Sequence, residues 1–238
     1  MISFGHYSAG NTPAPIVWIK ASMDCDFIAK HVLDYLKFDE AEQSNPNADF
    51  RYGGNPDYML SNIRQFLNSQ NARWYHPAHE YDKDPTRGTG TYATHTGFLH
   101  DFEDYEIQAL VSEIELPKYE NFMGSANVRF PYFTKKGVRP NGCEDFLRHR
   151  QNYGFNEGSY IGFWTSDRNG RYVGAVGRDG RRQNKYPVDT FGIRPVCKIN
   201  PEVKVETHGT GICTLIPVEL HPEVLFSDDE LSVFLGLR

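Results

Sequence analysis

Between Trp164 and Tyr186 the chain gathers Arg168, Arg171, Arg178, Arg181, Arg182 and Lys185. Among them stand the rings of Trp164, Tyr172 and Tyr186 and the polar side chains of Asp167, Asn169, Asp179 and Asn184. Guanidinium groups present planar arrays of donors, amides add donors and acceptors, and aromatic faces stack. Those are the means of recognising a ligand or partner surface rather than of breaking a bond, so these thirteen residues form the candidate ligand-binding set. The competing reading places Trp164 in the core and leaves the arginines as solvated hairpin decoration.

Sites for bond chemistry are harder to find. His76-Pro-Ala-His79-Glu80 is the sharpest metal candidate. A helical zinc site of the protease type needs two His four apart on one face with a Glu between them. Here the spacing is three, a Pro interrupts, and the Glu lies outside. His95 and His100 follow with no supporting spacing. Asp167-Arg-Asn-Gly170 lacks the further acidic ligands of a calcium loop and reads as a turn. Gly170, Gly174 and Gly177 do not form a dinucleotide fingerprint, and no nucleophile elbow or phosphate-binding loop is present. Cys143 and His149 sit six apart on an expected helix and so face different ways. The four cysteines, Cys25, Cys143, Cys197 and Cys213, include no CxxC pair and read as reduced, mostly buried thiols. Neither a cofactor nor a metal is expected, and no enzyme constellation is apparent.

The elements that would carry these residues are short. Ile2 and Phe4, then Ile16 and Trp18 beyond a Pro-containing turn, alternate as a pair of strands. Asp24 to Phe38 fits a third strand or a short helix, and Asp39 to Asp57 reads as loop. Asn55-Pro56-Asp57 has the chemistry of a helix start, with Leu60, Ile63, Phe66 and Leu67 on one stripe. Gln70 to Thr96 shows no clean period and is long for a connection. Phe102 to Ile114 predicts a second amphipathic helix with Phe102, Ile107, Leu110 and Val111 inward, and Asn141-Gly-Cys-Glu144 starts a third. From Ile161 the pattern is strand, turn, strand: Ile161–Trp164, Tyr172–Val176, a turn at Asp179-Gly180, a buried strand over Gly192–Ile199, and a hairpin over Val203–Val218. Ser227-Asp-Asp-Glu230 is a capping box that opens a terminal helix.

Composition bounds the partners. With 25 basic against 31 acidic residues, a net charge of −6 gives no general attraction to nucleic acid. No run reaches the ~20 apolar residues of a membrane span, so membrane insertion is not expected, and Met1-Ile-Ser-Phe does not begin like a signal peptide. Glycine (21) and proline (14) favour short elements and turns, hence an α+β domain with large loops.

Several segments then fall into a known order: "FGHY", "PIVWI", "SNIRQFLNS", "GFLHDFEDYEIQALV", "FWTSD" and "FGIRPVCKI". Together they resemble a bacterial and phage domain of unknown function that closes on a "GVRP" strand. That domain is similar to the C-type-lectin-like fold of the formylglycine-generating enzyme group and of retroelement variable proteins. The resemblance implies small antiparallel sheets with two or three packed helices and long loops over residues 1–200. Residues 201–238 would add a hairpin and short helix as a docking extension. It also implies a structural hydrogen-bond network around Arg194. The active cysteine pair of the formylglycine-generating enzymes has no counterpart here, so no oxidase role is implied. The expectation is a non-enzymatic recognition or structural protein, a phage virion component such as a tail, fibre or head-decoration protein. It would be assembled in the host cytoplasm, with other virion proteins or itself as partner, and a host surface glycan or protein as ligand. The alternatives are a metal-dependent enzyme built on the His76–His100 loop and a cytoplasmic protein-binding module.

Overall fold

The computed structural model describes residues 1–8, 13–20, 26–119, 162–177, 182–209 and 211–217. The expected helix at Asn141, the Cys143–His149 pair, the Asp179-Gly180 turn and the Ser227 capping box lie outside these residues. The protein is α+β, mostly sheet with a few short helices.

Alternation builds the first sheet. β1 (Ile2–Tyr7) and β2 (Ala14–Lys20) pair antiparallel and bury Ile2, Phe4, Ile16 and Trp18. β3 (Asp26–Ala29) and β9 (Val196–Lys198) continue on one side. On the other side β11 (Cys213–Leu215) runs parallel to β1, with β10 (Val205–Thr207) outermost. The hairpin expected as an extension past residue 200 therefore completes the sheet that the first strands begin. A second sheet has the order β4 (Asp34–Lys37), β8 (Thr190–Ile193), β5 (Phe163–Asn169), β6 (Tyr172–Val176) and β7 (Arg182–Lys185).

The stretch from Asp24 to Phe38, which periodicity leaves open between strand and helix, is from Asp26 onward two strands in two sheets. Gly192 to Ile199 is likewise broken rather than one strand, because Pro195 has no N–H to give a ladder. The two crossings run side by side and are sewn together by Arg194, which is buried. Its Nε donates to the Ala29 carbonyl at 2.8 Å and its Nη2 to that of Lys30 at 3.2 Å. Such a guanidinium satisfies carbonyls that the crossing would otherwise strand.

The helices are shorter than the apolar stripes suggest. The Asp39–Asp57 stretch, read as loop, contains α1 (Ala48–Gly53), capped by the Asn47 side chain accepting from the Asp49 amide. Asp57 caps only a 3-10 turn, Tyr58–Leu60, and Ser61 restarts the chain as α2 (Asn62–Leu67). The helix expected over Phe102–Ile114 is confined to α3 (Asp104–Gln108). Beyond it Leu110 bridges Ile199, Glu115 bridges Val196, and Val111 faces solvent. The apolar positions there serve sheet contacts, which a helical period mimics. Glu106 ties α3 inward: one oxygen accepts from the Glu103 amide, the other from Gly5 N at 2.8 Å. Gly5 has φ +68°, and any Cβ there would overlap the Phe102 ring.

All three tryptophans are buried and each indole N–H finds a backbone carbonyl: Trp18 to Phe4, Trp74 to His95, Trp164 to Leu36. Burying these rings without those acceptors would leave orphaned donors.

Candidate functional site

Most of the Trp164–Tyr186 set lies on β5, β6 and β7, where strand alternation divides it into core and surface. Trp164 belongs to the core: it is fully buried between Phe38 and Phe191, so it cannot touch a ligand and leaves the candidate set. Asp167 points to the chain's own Tyr119 amide, which it accepts at 2.6 Å. The stretch Asp167-Arg-Asn-Gly170 is not itself a turn. β5 continues through Asn169 past a bulge, and the reversal falls on Gly170 and Arg171, with Gly170 at φ +61°. Arg178, Asp179 and Arg181 lie outside the described residues.

The remaining residues divide by strand register: Asn169, Tyr172, Arg182, Asn184 and Tyr186 follow one side of the strands, while Arg168 and Lys185 sit opposite Val173 on the other. The Tyr172 and Tyr186 rings sit 4.8 Å apart, their hydroxyls 3.3 Å apart, because their strands are adjacent. Arg171 lies over both rings, at 5.1 and 5.6 Å, and is held there by Asp49 of α1 at 3.0 Å and by the Tyr172 hydroxyl at 3.0 Å. Tyr186 in turn rests against Gly53 of α1. Arg168 reaches toward Asp57 at 3.9 Å, so the β5–β6 turn is bracketed by α1 and by the 3-10 turn. Arg182 stacks on Tyr119 at 5.4 Å and Lys185 on Phe191 at 5.1 Å, while Asn169 and Asn184 are exposed. Tyr172 accepts from Arg171 and shares a hydrogen bond with Tyr186, and these hydrogen bonds lower its pKa. The same hydrogen bond with Tyr172 raises the pKa of Tyr186.

Two contributors lie outside the hairpin, on α1: Asp49, which holds Arg171, and Gly53, against which Tyr186 rests, with the strongly exposed Tyr52 between them. The Asn47 cap, two residues before Asp49, is the signal that would have placed α1.

The histidine-bearing loop tells another story. His95 Nε2 donates to Asp34 Oδ2 at 2.7 Å, and Tyr7 donates to the same oxygen at 2.5 Å. His79 approaches Glu42, which is buried and also held by Asn45, at 3.2 Å without hydrogen-bond alignment. His76 is exposed and His100 pairs with Asp101. Among the described residues, no three His, Cys, Asp or Glu side chains are grouped to hold a metal. Burial raises the pKa of the Cys197 thiol well above its ordinary value, which keeps it from being a ready nucleophile.

No family model matches the chain, and neither a curated protein nor a solved structure matches it.

Proposed function

We propose that this protein is a non-enzymatic recognition or structural module with a C-type-lectin-like domain, serving as a phage virion component such as a tail, fibre or head-decoration protein. Its ligand or docking partner contacts the face formed by α1 and the β5–β6–β7 strands. The observation that carries this reading is the fixed Arg171 over Tyr172 and Tyr186, held by Asp49 of α1. A side chain already immobilised by its neighbours loses little freedom on binding. The fold term is supported by the ordered sequence motifs and by early strands β1, β2 and β3 sharing a sheet with late strands β9 and β11.

A second reading, a protein-binding module acting in the host cytoplasm, draws on the exposed Tyr52 of α1, the helix that holds Arg171, and on the exposed Met59. Tyrosine, methionine and arginine are the types enriched at protein interfaces. Both readings are tested together. Purified particles of the encoding phage are probed for the protein, and wild type and Arg171→Ala are compared on glycan arrays and in lysate pull-downs. Presence in particles with Arg171-dependent glycan or virion-protein binding supports the first. Absence from particles with Arg171-dependent capture of a host protein replaces it with the second. Binding indifferent to Arg171 overturns the site.

A further inference from the structure

The six-stranded sheet ends in an edge that no described residue covers. Every residue of β10 is exposed, and so are Lys204 and His208 on either side. Val205, 44% exposed, and Ile216, 40% exposed, add apolar surface there. Open edges are usually guarded by charge, and this edge carries Glu206 in β10 and Lys204 just before it. The question is whether those charges repel every strand or admit one.

The hydrogen-bond phase of β10 answers half of it. Ile216 N donates to the Lys204 carbonyl at 3.0 Å, and His208 N to the Ile212 carbonyl at 3.1 Å. Glu206 is paired with Thr214 between them. Residues 204, 206 and 208 therefore turn their main-chain groups toward β11, and Val205 and Thr207 turn theirs outward. An antiparallel strand docking on this edge must meet Val205 and Thr207.

We propose that the occupant is β10 of a second copy, paired antiparallel about a two-fold axis at Val205. In that register Val205 faces Val205 of the second copy, and each Val205 N–H donates to the other's carbonyl. Each Thr207 N–H reaches the second copy's Val203 carbonyl. The Val203 N–H is already given to Asn200, so it asks for no partner. Lys204 faces Glu206 of the second copy, twice by symmetry, and Glu202 faces His208. The neighbouring registers with the same hydrogen-bond phase fail. A slip one way sets Glu206 against Glu206, and a slip the other way sets Lys204 against Lys204, which costs stability where opposite charges would add it. The same two charges thus select one register of one partner, and the two six-stranded sheets join into one. This contact lies on strands other than those of the Arg171 face and does not depend on what that face binds.

Sedimentation velocity over a concentration series tests it, with thermal melts as the check on folding. Wild type dimerises reversibly. Lys204→Glu and Glu206→Lys each weaken the dimer about tenfold by placing like charges opposite one another, and the double exchange restores it. Val205→Pro, which removes only an outward N–H, leaves a folded monomer. Arg171→Ala leaves dimerisation unchanged, which separates failure here from failure of the ligand face. A wild type that stays monomeric, single reversals that leave the dimer intact, or a double exchange no tighter than the singles would each overturn the proposal. If Val205→Pro does not fold, the charge exchange alone decides.

Discussion

The loop from Gln70 to Asp101 and the hairpin from Phe163 to Lys185 both concentrate polar and aromatic residues, and they use them in opposite ways. The loop has no regular structure, yet it buries Trp74 and Tyr92 and fastens itself through His95 to Asp34. Asp82 accepts from Asn62, Gln65 and the Ala78 amide, and Tyr92 donates to the Lys37 carbonyl. The strands β5, β6 and β7 satisfy their backbone in the ladder, and so can leave charges at the surface. Irregular backbone must recruit polar side chains to satisfy itself. Polar density in a long loop therefore points to architecture, and polar density on a ladder points to a usable face.

The contrast can be broken at several strengths. Phe66, on α2, packs against Trp74, Tyr92, His95 and Phe98, so it holds the loop to the core. Phe66→Ala should cost ~4 kcal/mol of unfolding free energy in a urea titration. Asp34→Ala removes the shared acceptor of Tyr7 and His95 at a buried position and should cost ~3 kcal/mol by the same measurement.

Asp39 gives the loop side a pH signature. Burial raises its pKa well above the ordinary carboxylate value, against the opposing effect of the Asn55 and Asn62 amides that it accepts. The folded state then holds a proton that the unfolded state has released, and stability falls as pH rises through that window. Relative to Asp39→Asn, the wild type should lose stability as pH climbs from about 4 toward the raised value. Urea midpoints for both proteins across that range check the slope, and parallel curves would remove Asp39 as its source.

The hairpin side should respond least in stability and most in recognition. Arg171→Ala is expected to leave the unfolding midpoint unchanged while ligand binding drops. It should also move the Tyr172 titration upward, because one of the hydrogen bonds that lower that pKa is gone. NMR of ring-labelled tyrosine follows both events.

What could be read in the chain divides along the same line. Ile2 with Phe4 and Ile16 with Trp18 were legible because alternation records their buried face, and Tyr172–Val176 because a short apolar run buried on both faces is bounded by turns. The Phe102–Ile114 stripe misled because α3 and two isolated bridges share its apolar positions. The His95–Asp34 pair joins residues 61 apart, and no local pattern announces such a partner. Half of the surface face was legible as a cluster of arginines. Its other half, on α1, was hidden in a stretch whose Asn, Gly and Pro content reads as loop.

β1 lies between β2 and β11, as β3 does between β2 and β9, and β4 is paired only with β8. Each of these early strands therefore waits for a partner made more than 150 residues later. During synthesis at ~5–20 residues per second, the first two hairpin strands spend many seconds with an uncovered apolar face. The topology rests on long-range pairings, so closure is a late and slow step that must await β8, β9 and β11. A nascent chain stalled before β8 would be the form most in need of a chaperone.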